Sequence, residues 1–462
     1  MSLRISRFPM FLSVASLVSI ARAAASPAVS VMTLGEALDY AHVHRPEVLA
    51  AAARVDEAVA QAAVTQSHWL PSVVGTAQLL ATTTNNTTGS YLGASSFDNP
   101  RVSATRAETQ ATASLIPEAS SLFGVSGRQE LFDFGQIAAQ EAADDLRSDV
   151  RRFEVVSTWL LLDFDVEEAY FAVLAARSVV DAAEQAYQRA EVHRDMARAG
   201  VDTGLRRPIE LTRAEALLDR FDLERVRAQA GLTSAQLAFG ASIGIPGRLL
   251  DAGGKVPETS DLPSLDVALA RAEERNPDLA AALGKLRAQR QETRAIAATE
   301  RPNLYASGAL SGNAGGAMPT SGEAPVGNGL LPLVPNWDIG VVLGWPLYDP
   351  GTVARERVSR KAEEVARGDA EATRLHLLSS VGRAYVAVEA SRDALPILQR
   401  TVQAAIANAD QANARFDVGL GNAVELADAE DLRITAEIDL AVGRFELNRT
   451  RAALARLLAE TP

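Results

Sequence analysis

Apolar and polar positions follow two different rhythms along this chain. From Gln136 to Ala199 there is neither Gly nor Pro over 64 positions, and Ala, Leu, Glu, Arg and Gln dominate. Such a run predicts a helix of roughly 95 Å. Inside it Val155, Trp159, Leu162, Val166, Ala169, Val173, Ala176, Val180, Ala183, Tyr187 and Ala190 recur at alternating spacings of four and three. That is the 3.5-residue repeat of a left-handed supercoil packed against neighbouring helices. Frequent Ala permits close helix approach while supplying little apolar area per residue. The segment from Thr352 to Asp417 has the same character but carries Gly368, Gly382 and Pro396, which predicts a kink near Pro396.

The second rhythm has period two. Trp337, Ile339, Val341, Leu343 and Trp345 alternate with Asp338, Gly340, Val342, Gly344 and Pro346. Weaker alternation runs through Val73, Gly75, Ala77 and Leu79, through Phe123, Val125 and Gly127, and through Leu304, Ala306, Gly308 and Leu310. These patterns predict strands at about 72–82, 121–131, 303–312 and 337–347. Strands of about ten residues with aromatic ends fit the apolar band of a membrane barrel, about 25 Å tall. A soluble four-stranded sheet packed on helices is the alternative that the pattern leaves open.

Self-comparison shows that the chain is written twice. Glu36-Ala37-Leu38 to Arg45-Pro46-Glu47-Val48-Leu49-Ala50 matches Asp266-Val267-Ala268-Leu269 to Asn276-Pro277-Asp278-Leu279-Ala280-Ala281 at an offset of 231. Leu131-Phe132-Asp133-Phe134-Gly135 matches Leu347-Tyr348-Asp349-Pro350-Gly351 at 216. Thr203-Gly204-Leu205, Glu210-Leu211 and Ala214-Glu215 match Val418-Gly419-Leu420, Glu425-Leu426 and Ala429-Glu430 at 215. The reading is a first repeat at 26–243, a Gly/Pro-rich linker at 244–263 and a second repeat at 264–462. Each repeat runs short helix, helix, two strands, very long helix (about 136–200 and 352–417), helix. In lipid every backbone polar group must be paired, so membrane strands have to close into a barrel. Four strands are too few to close around a lumen, so several chains must share one barrel: two would give eight strands, three twelve and four sixteen.

Composition changes the picture at a few points. No cysteine is present among 462 residues, which excludes disulfides, thiol chemistry and Cys-ligated metals. A net charge of −13 argues against a nucleic-acid partner. No apolar run reaches the roughly 20 residues of a spanning helix, yet barrel strands spread their apolar residues over alternate positions, where such a count misses them. Arg4 and Arg7, a mostly apolar stretch from Phe8 to Ile20 and small residues at Ala21, Ala23 and Ala25 predict a secretory signal peptide over 1–25. With no Cys after the cleavage region, an unlipidated exported protein is expected.

Catalytic chemistry finds no support. His42, His44, His68, His193 and His376 form no His-Glu-x-x-His pattern, and no phosphate-binding Gly loop with its Lys occurs. His42 and His44, two apart, face different ways on a helix and read as ordinary surface or interface residues. The sequons at Asn85, Asn86 and Asn448 are equally bland, with Asn85 to Ser90 read as an exposed outer loop. The chain is expected not to be an enzyme, and to need no cofactor and no metal.

The duplicated plan, Asn276-Pro277-Asp278-Leu279 with its partner Arg45-Pro46-Glu47-Val48, the Leu-Phe-Asp-Phe-Gly turn at 131–135 and the Val418-Gly419 turn before Glu425-Leu426 resemble the TolC-type outer-membrane factors. The resemblance covers essentially everything from Thr33 to Leu458. It implies a mostly α chain with transmembrane β, a homotrimer with a twelve-stranded barrel in the outer membrane of a Gram-negative bacterium, and a long α-helical barrel through the periplasm. It also implies docking onto a periplasmic adaptor and an inner-membrane pump or ABC transporter, as an efflux or type I secretion conduit. By position, Glu425 and Asp428 match the acidic residues of the family's periplasmic entrance, and Glu210 matches an acidic partner of the closing network. Gly204, Leu205, Gly419 and Leu420 fall on the adaptor-contacting tips. The sequence departs from the family where Gly421 replaces a gate arginine and Phe416 a gate tyrosine. Arg206 and Arg207 are candidates to supply the missing charge to Glu210, Glu425 or Asp428. Trp337 and Trp345 are candidate membrane-interface anchors, in contact with outer-membrane lipid. The competing reading is a soluble periplasmic coiled-coil adaptor. Adaptors carry one helical hairpin between halves of a lipoyl-like β domain, however, and this chain has two hairpins and Trp-flanked strands.

Overall fold

A computed structural model describes residues 30–83, 117–254, 262–315 and 335–460. The expected signal peptide and the Asn85 and Asn86 sequons lie outside the described residues. In each half a short helix leads into a longer one: α1 (Leu34–His44) into α2 (Pro46–Gln66), and later α5 (Leu265–Arg275) into α6 (Pro277–Ala298). Both longer helices start on the predicted X-Pro step, where proline costs no hydrogen bond. Asn276 caps α6 by accepting from the N–H groups of Asp278 and Leu279 at 3.0 and 3.2 Å. Its own Nδ2 donates to the Leu457 carbonyl. At Arg45 no side chain caps α2.

The long helices α3 (Gln136–Asp202) and α7 (Pro350–Asp417) return through α4 (Pro208–Ser242) and α8 (Ala423–Leu457). The two Asp-containing turns that launch them are helix caps. Asp133 accepts from the N–H groups of Gly135 and Ile137, while Asp349 accepts from Gly351 N–H and the Thr352 hydroxyl. Those bonds hold the Asp349 carboxyl below its ordinary value. The predicted seam is buried at Leu162, Val166, Val173, Ala183 and Ala190, although Trp159 is exposed in the single chain. The helix α7 runs through Pro396 as one uninterrupted element. Leu398 packs there so closely on Gly443 of α8 that a Cβ on that glycine would lie 2.3 Å from Leu398 Cδ1. The proline removes one backbone bond without ending the helix.

Two short strands, β1 (Ser30–Met32) and β4 (Leu250–Ala252), pair in parallel. The stretch 244–263, read as linker, therefore contains a buried strand: Leu250 and Ala252 join Phe239, Ile243, Val166 and Tyr170 in one core. Three-residue strands are too short to carry a readable alternation.

The larger sheet has four antiparallel strands in the order β2 (Ser72–Thr83), β3 (Pro117–Phe132), β5 (Asn303–Gly315) and β6 (Pro335–Gly344). Registers Val73↔Gly127, Gly127↔Gly308 and Gly308↔Ile339, with Val125↔Leu310 and Leu310↔Trp337, place the apolar series on one face. On it Trp337 is 75% exposed and Ile339 79%, with Val73, Val125, Leu310 and Val341 also exposed. The other face carries Ser72, Thr76, Ser126, Arg128, Glu130, Ser307 and Asp338. Strand β6 ends at Gly344, so Trp345 lies just beyond it rather than inside, because Pro346 brings no N–H to extend the ladder.

Candidate functional site at the helical tips

The two hairpins end in turns of one design. In the first, Leu205 and Arg206 N–H both donate to Gly200 O at 2.9 and 3.0 Å; in the second, Leu420 and Gly421 N–H both donate to Arg415 O at 2.9 and 2.8 Å. Gly204 (φ 74°) and Gly419 (φ 77°) take the left-handed conformation that closes each helix. Leu205 (85% exposed) and Leu420 (77%) project from the tips.

At equivalent positions the turns exchange an arginine for a glycine. Position 200 is Gly where 415 is Arg, and 206 is Arg where 421 is Gly. A Cβ on Gly200 would lie 2.7 Å from Arg206 Cδ, and one on Gly421 would meet Phe416 N at 3.0 Å and Arg415 Cβ at 3.2 Å. Each tip thus accommodates one arginine stem over a glycine, and the departure at Gly421 is matched by Arg415 six residues earlier.

Arg206 reaches from the first tip to the second hairpin. Its Nη2 donates to Phe416 O at 2.9 Å, and the guanidinium carbon lies 3.8 Å from the centroid of the Phe416 ring, a cation–π contact. Its Nη1 approaches Glu210 only to 3.9 Å. Arg415 pairs with Glu425 at 3.1 Å, and Asn422 caps α8 by accepting from Val424 and Glu425 N–H. Glu425 and Asp428 border one open groove of about 710 Å³ with Arg213 of α4 and Asn408 of α7.

The expected residues are therefore brought together in part. Glu425 and Asp428 share a surface, whereas Glu210 sits apart from them beside Arg206. Arg207 forms no ion pair among the described residues, because it points outward at the exposed start of α4. The cross-hairpin contact made by Arg206 goes to a carbonyl and a ring, not to Glu425 or Asp428, whose arginine is Arg415. Sequence reasoning missed Arg415, which superposing the two tips at offset 215 would have exposed. It also missed a buried group behind the tip: Arg189 Nε donates to Glu430 at 2.8 Å, and His193 stands edge-on to Phe416 at 6.3 Å. Among the described residues no group of His, Asp and Glu could hold a metal, and no helix is long and apolar enough to cross a membrane.

Two repeats, two long hairpins and a sheet with one apolar and one polar face define the outer-membrane-channel fold. The chain aligns with the outer-membrane channel OprN at a TM-score of 0.73 and 20% identity, over 92% of this chain and 89% of that one. With CusC the TM-score is 0.74 at 16% identity over 94% of each chain. With VceC from Vibrio cholerae it is 0.71 at 17% identity, over 92% of this chain and 96% of that one. A family model described as outer membrane efflux protein matches residues 37–244 and 268–460. The chain belongs to the outer membrane efflux protein family. No curated protein matches it. It is thus an outer-membrane channel component of efflux machinery with a large periplasmic helical part, and the adaptor reading is not favoured.

Proposed function

We propose that three copies close a twelve-stranded barrel, each contributing one four-stranded sheet, and that the hairpins continue it as a helical tunnel whose narrow end is formed by the tips. The observation that carries this reading is the sheet itself. Among the described residues its outer strands β2 and β6 each have a free edge, and four strands cannot close alone. Its exposed apolar face suits lipid, with Trp337 and Trp345 as interface anchors, and its polar face suits a water-filled lumen. In this assembly Glu425 and Asp428, three residues apart on α8, become rings of carboxylates that attract cations to the entrance. Glu210, apart from them beside Arg206, adds a carboxylate to the first tip. The apolar tips at Gly204, Leu205, Gly419 and Leu420 are the docking points for a periplasmic adaptor that links the channel to an inner-membrane pump.

Membrane fractionation with a gel of unheated and heated samples tests the proposal. A heat-labile trimer band in the outer-membrane fraction, with co-purification of an adaptor, is expected. A protein found only in the soluble fraction would overturn it.

A further inference from the structure

Behind the tips lies a buried titratable group that the channel reading leaves without a role. His193 of α3 is 5% exposed and sits between three helices. Its ring edge meets Phe416 of α7, and its Nε2 lies 4.0 Å from Glu430 Oε1 of α8, beyond hydrogen-bond range. Among the described residues its Nδ1 has no partner, and neither has Arg189 Nη2. Glu430, itself 3% exposed, is already neutralised by Arg189. The charged groups around the imidazole are thus Arg189 from its own helix, Glu430 from α8, Asp417 from α7, and Arg206, which the turn into α4 lays on the same Phe416 ring.

Resting on the reading of the tips as the entrance, we propose that His193 is a proton-sensitive wedge: its protonation favours the arrangement in which α3 separates from α7 and α8, so that acidification opens the channel. Neutral imidazole fits this site, since a second cation would be buried beside a carboxylate already occupied by Arg189. Burial holds the His193 pKa below its ordinary value, Arg189 works in the same direction, and Glu430 and Asp417 oppose them. When the hairpins part, water reaches the ring and the ordinary value of about 6.5 returns. The parted arrangement then binds the proton more tightly, so falling pH shifts the population towards it, and rising pH restores the packed one. Phe416 connects this shift to the cross-hairpin contact, because Arg206 stacks on the same ring and donates to the Phe416 carbonyl.

Planar-bilayer recordings of the full-length trimer, taken from about pH 7.5 to about pH 5.5, compare the wild type with His193→Gln, which keeps the size and polarity of the site without the titration. Open probability of the wild type is expected to rise by roughly two-fold or more on acidification, and His193→Gln to lose that rise. Histidine C2-hydrogen exchange on the same wild-type trimer is expected to give His193 a lower midpoint than exposed histidines, independently of any variant's folding. An acid response retained in His193→Gln, or an ordinary midpoint for His193, overturns the inference while leaving the channel intact. A trimer that never conducts would instead remove the channel reading, and the inference with it.

Discussion

The contact between Arg206 and Phe416 ties the first hairpin to the second, and its removal has a calculable consequence. Arg206→Ala deletes a charge-assisted bond to the Phe416 carbonyl at 2.9 Å, worth about 1.5 kcal/mol. It also deletes the guanidinium stacked at 3.8 Å on a ring that is only 2% exposed, worth about 1 kcal/mol. The sum, about 2.5 kcal/mol, corresponds to roughly 70-fold in the equilibrium between joined and parted hairpins of one protomer. Phe416→Leu keeps the carbonyl and loses the ring, so it removes roughly the smaller share plus some packing. Single-channel recordings of both variants and of the double variant yield the pairwise coupling, expected at about 1 kcal/mol. Arg207→Ala, which breaks no ion pair, serves as the matched control. If Arg206→Ala leaves the open probability at the wild-type level while the trimer stays intact, the Arg206–Phe416 contact does not hold the tips closed.

Other consequences are equally specific. Asn276→Ala removes a helix cap and the bond to Leu457 O, and thermal unfolding should show a loss of about 1–2 kcal/mol. Burial, with Asp163 nearby, pushes the Glu167 carboxyl up to about 7, so it weakens the fold progressively as pH rises from about 4.5 through 7. Glu167→Gln should therefore raise Tm at about pH 8 by the equivalent of about 2 kcal/mol and leave it unchanged at about pH 4. Gly421→Arg drives a Cβ to 3.0 Å from Phe416 N; it should destabilise the second tip by about 1–3 kcal/mol rather than strengthen closure, as read by proteolysis at 418–422. Ile339→Asp on the exposed apolar face of β6 should cut the amount of heat-labile trimer in the outer membrane by costing about 2 kcal/mol per chain.

Most of the fold was legible because its determinants are local. A Gly- and Pro-free run fixes α3 to within three residues of its end, and strict alternation locates β6. The misses are instructive. The pairing of β1 with β4 depends on two three-residue segments more than 200 positions apart, which no periodicity reveals. Trp345 falls outside β6 because Pro346 has no N–H to extend the ladder. At the tips, sequence position singled out Glu425, Asp428 and Arg206 and the approach of Arg206 to Glu210, but not Arg415 beside Glu425 or Phe416 under Arg206. Whether a guanidinium meets a carboxylate, a carbonyl or a ring is decided by how two hairpins lie against each other. His193 lies three residues beyond Ala190, where the buried seam continues towards Ala197, but the apolar series was followed only to Ala190 and left it out. Its neighbours, Phe416 and Glu430, come from the other repeat and could not be read from that seam.

The central claim is that this sheet is one third of a barrel, and an electron cryomicroscopy map of the detergent-extracted protein tests it most directly. Three copies should appear around a common axis, with the free edge of β6 in one copy hydrogen-bonded to β2 of the next, the Trp337–Leu343 face outward and the tips converging at the far end. A monomer, or any assembly in which β2 and β6 remain unpaired, would contradict the account.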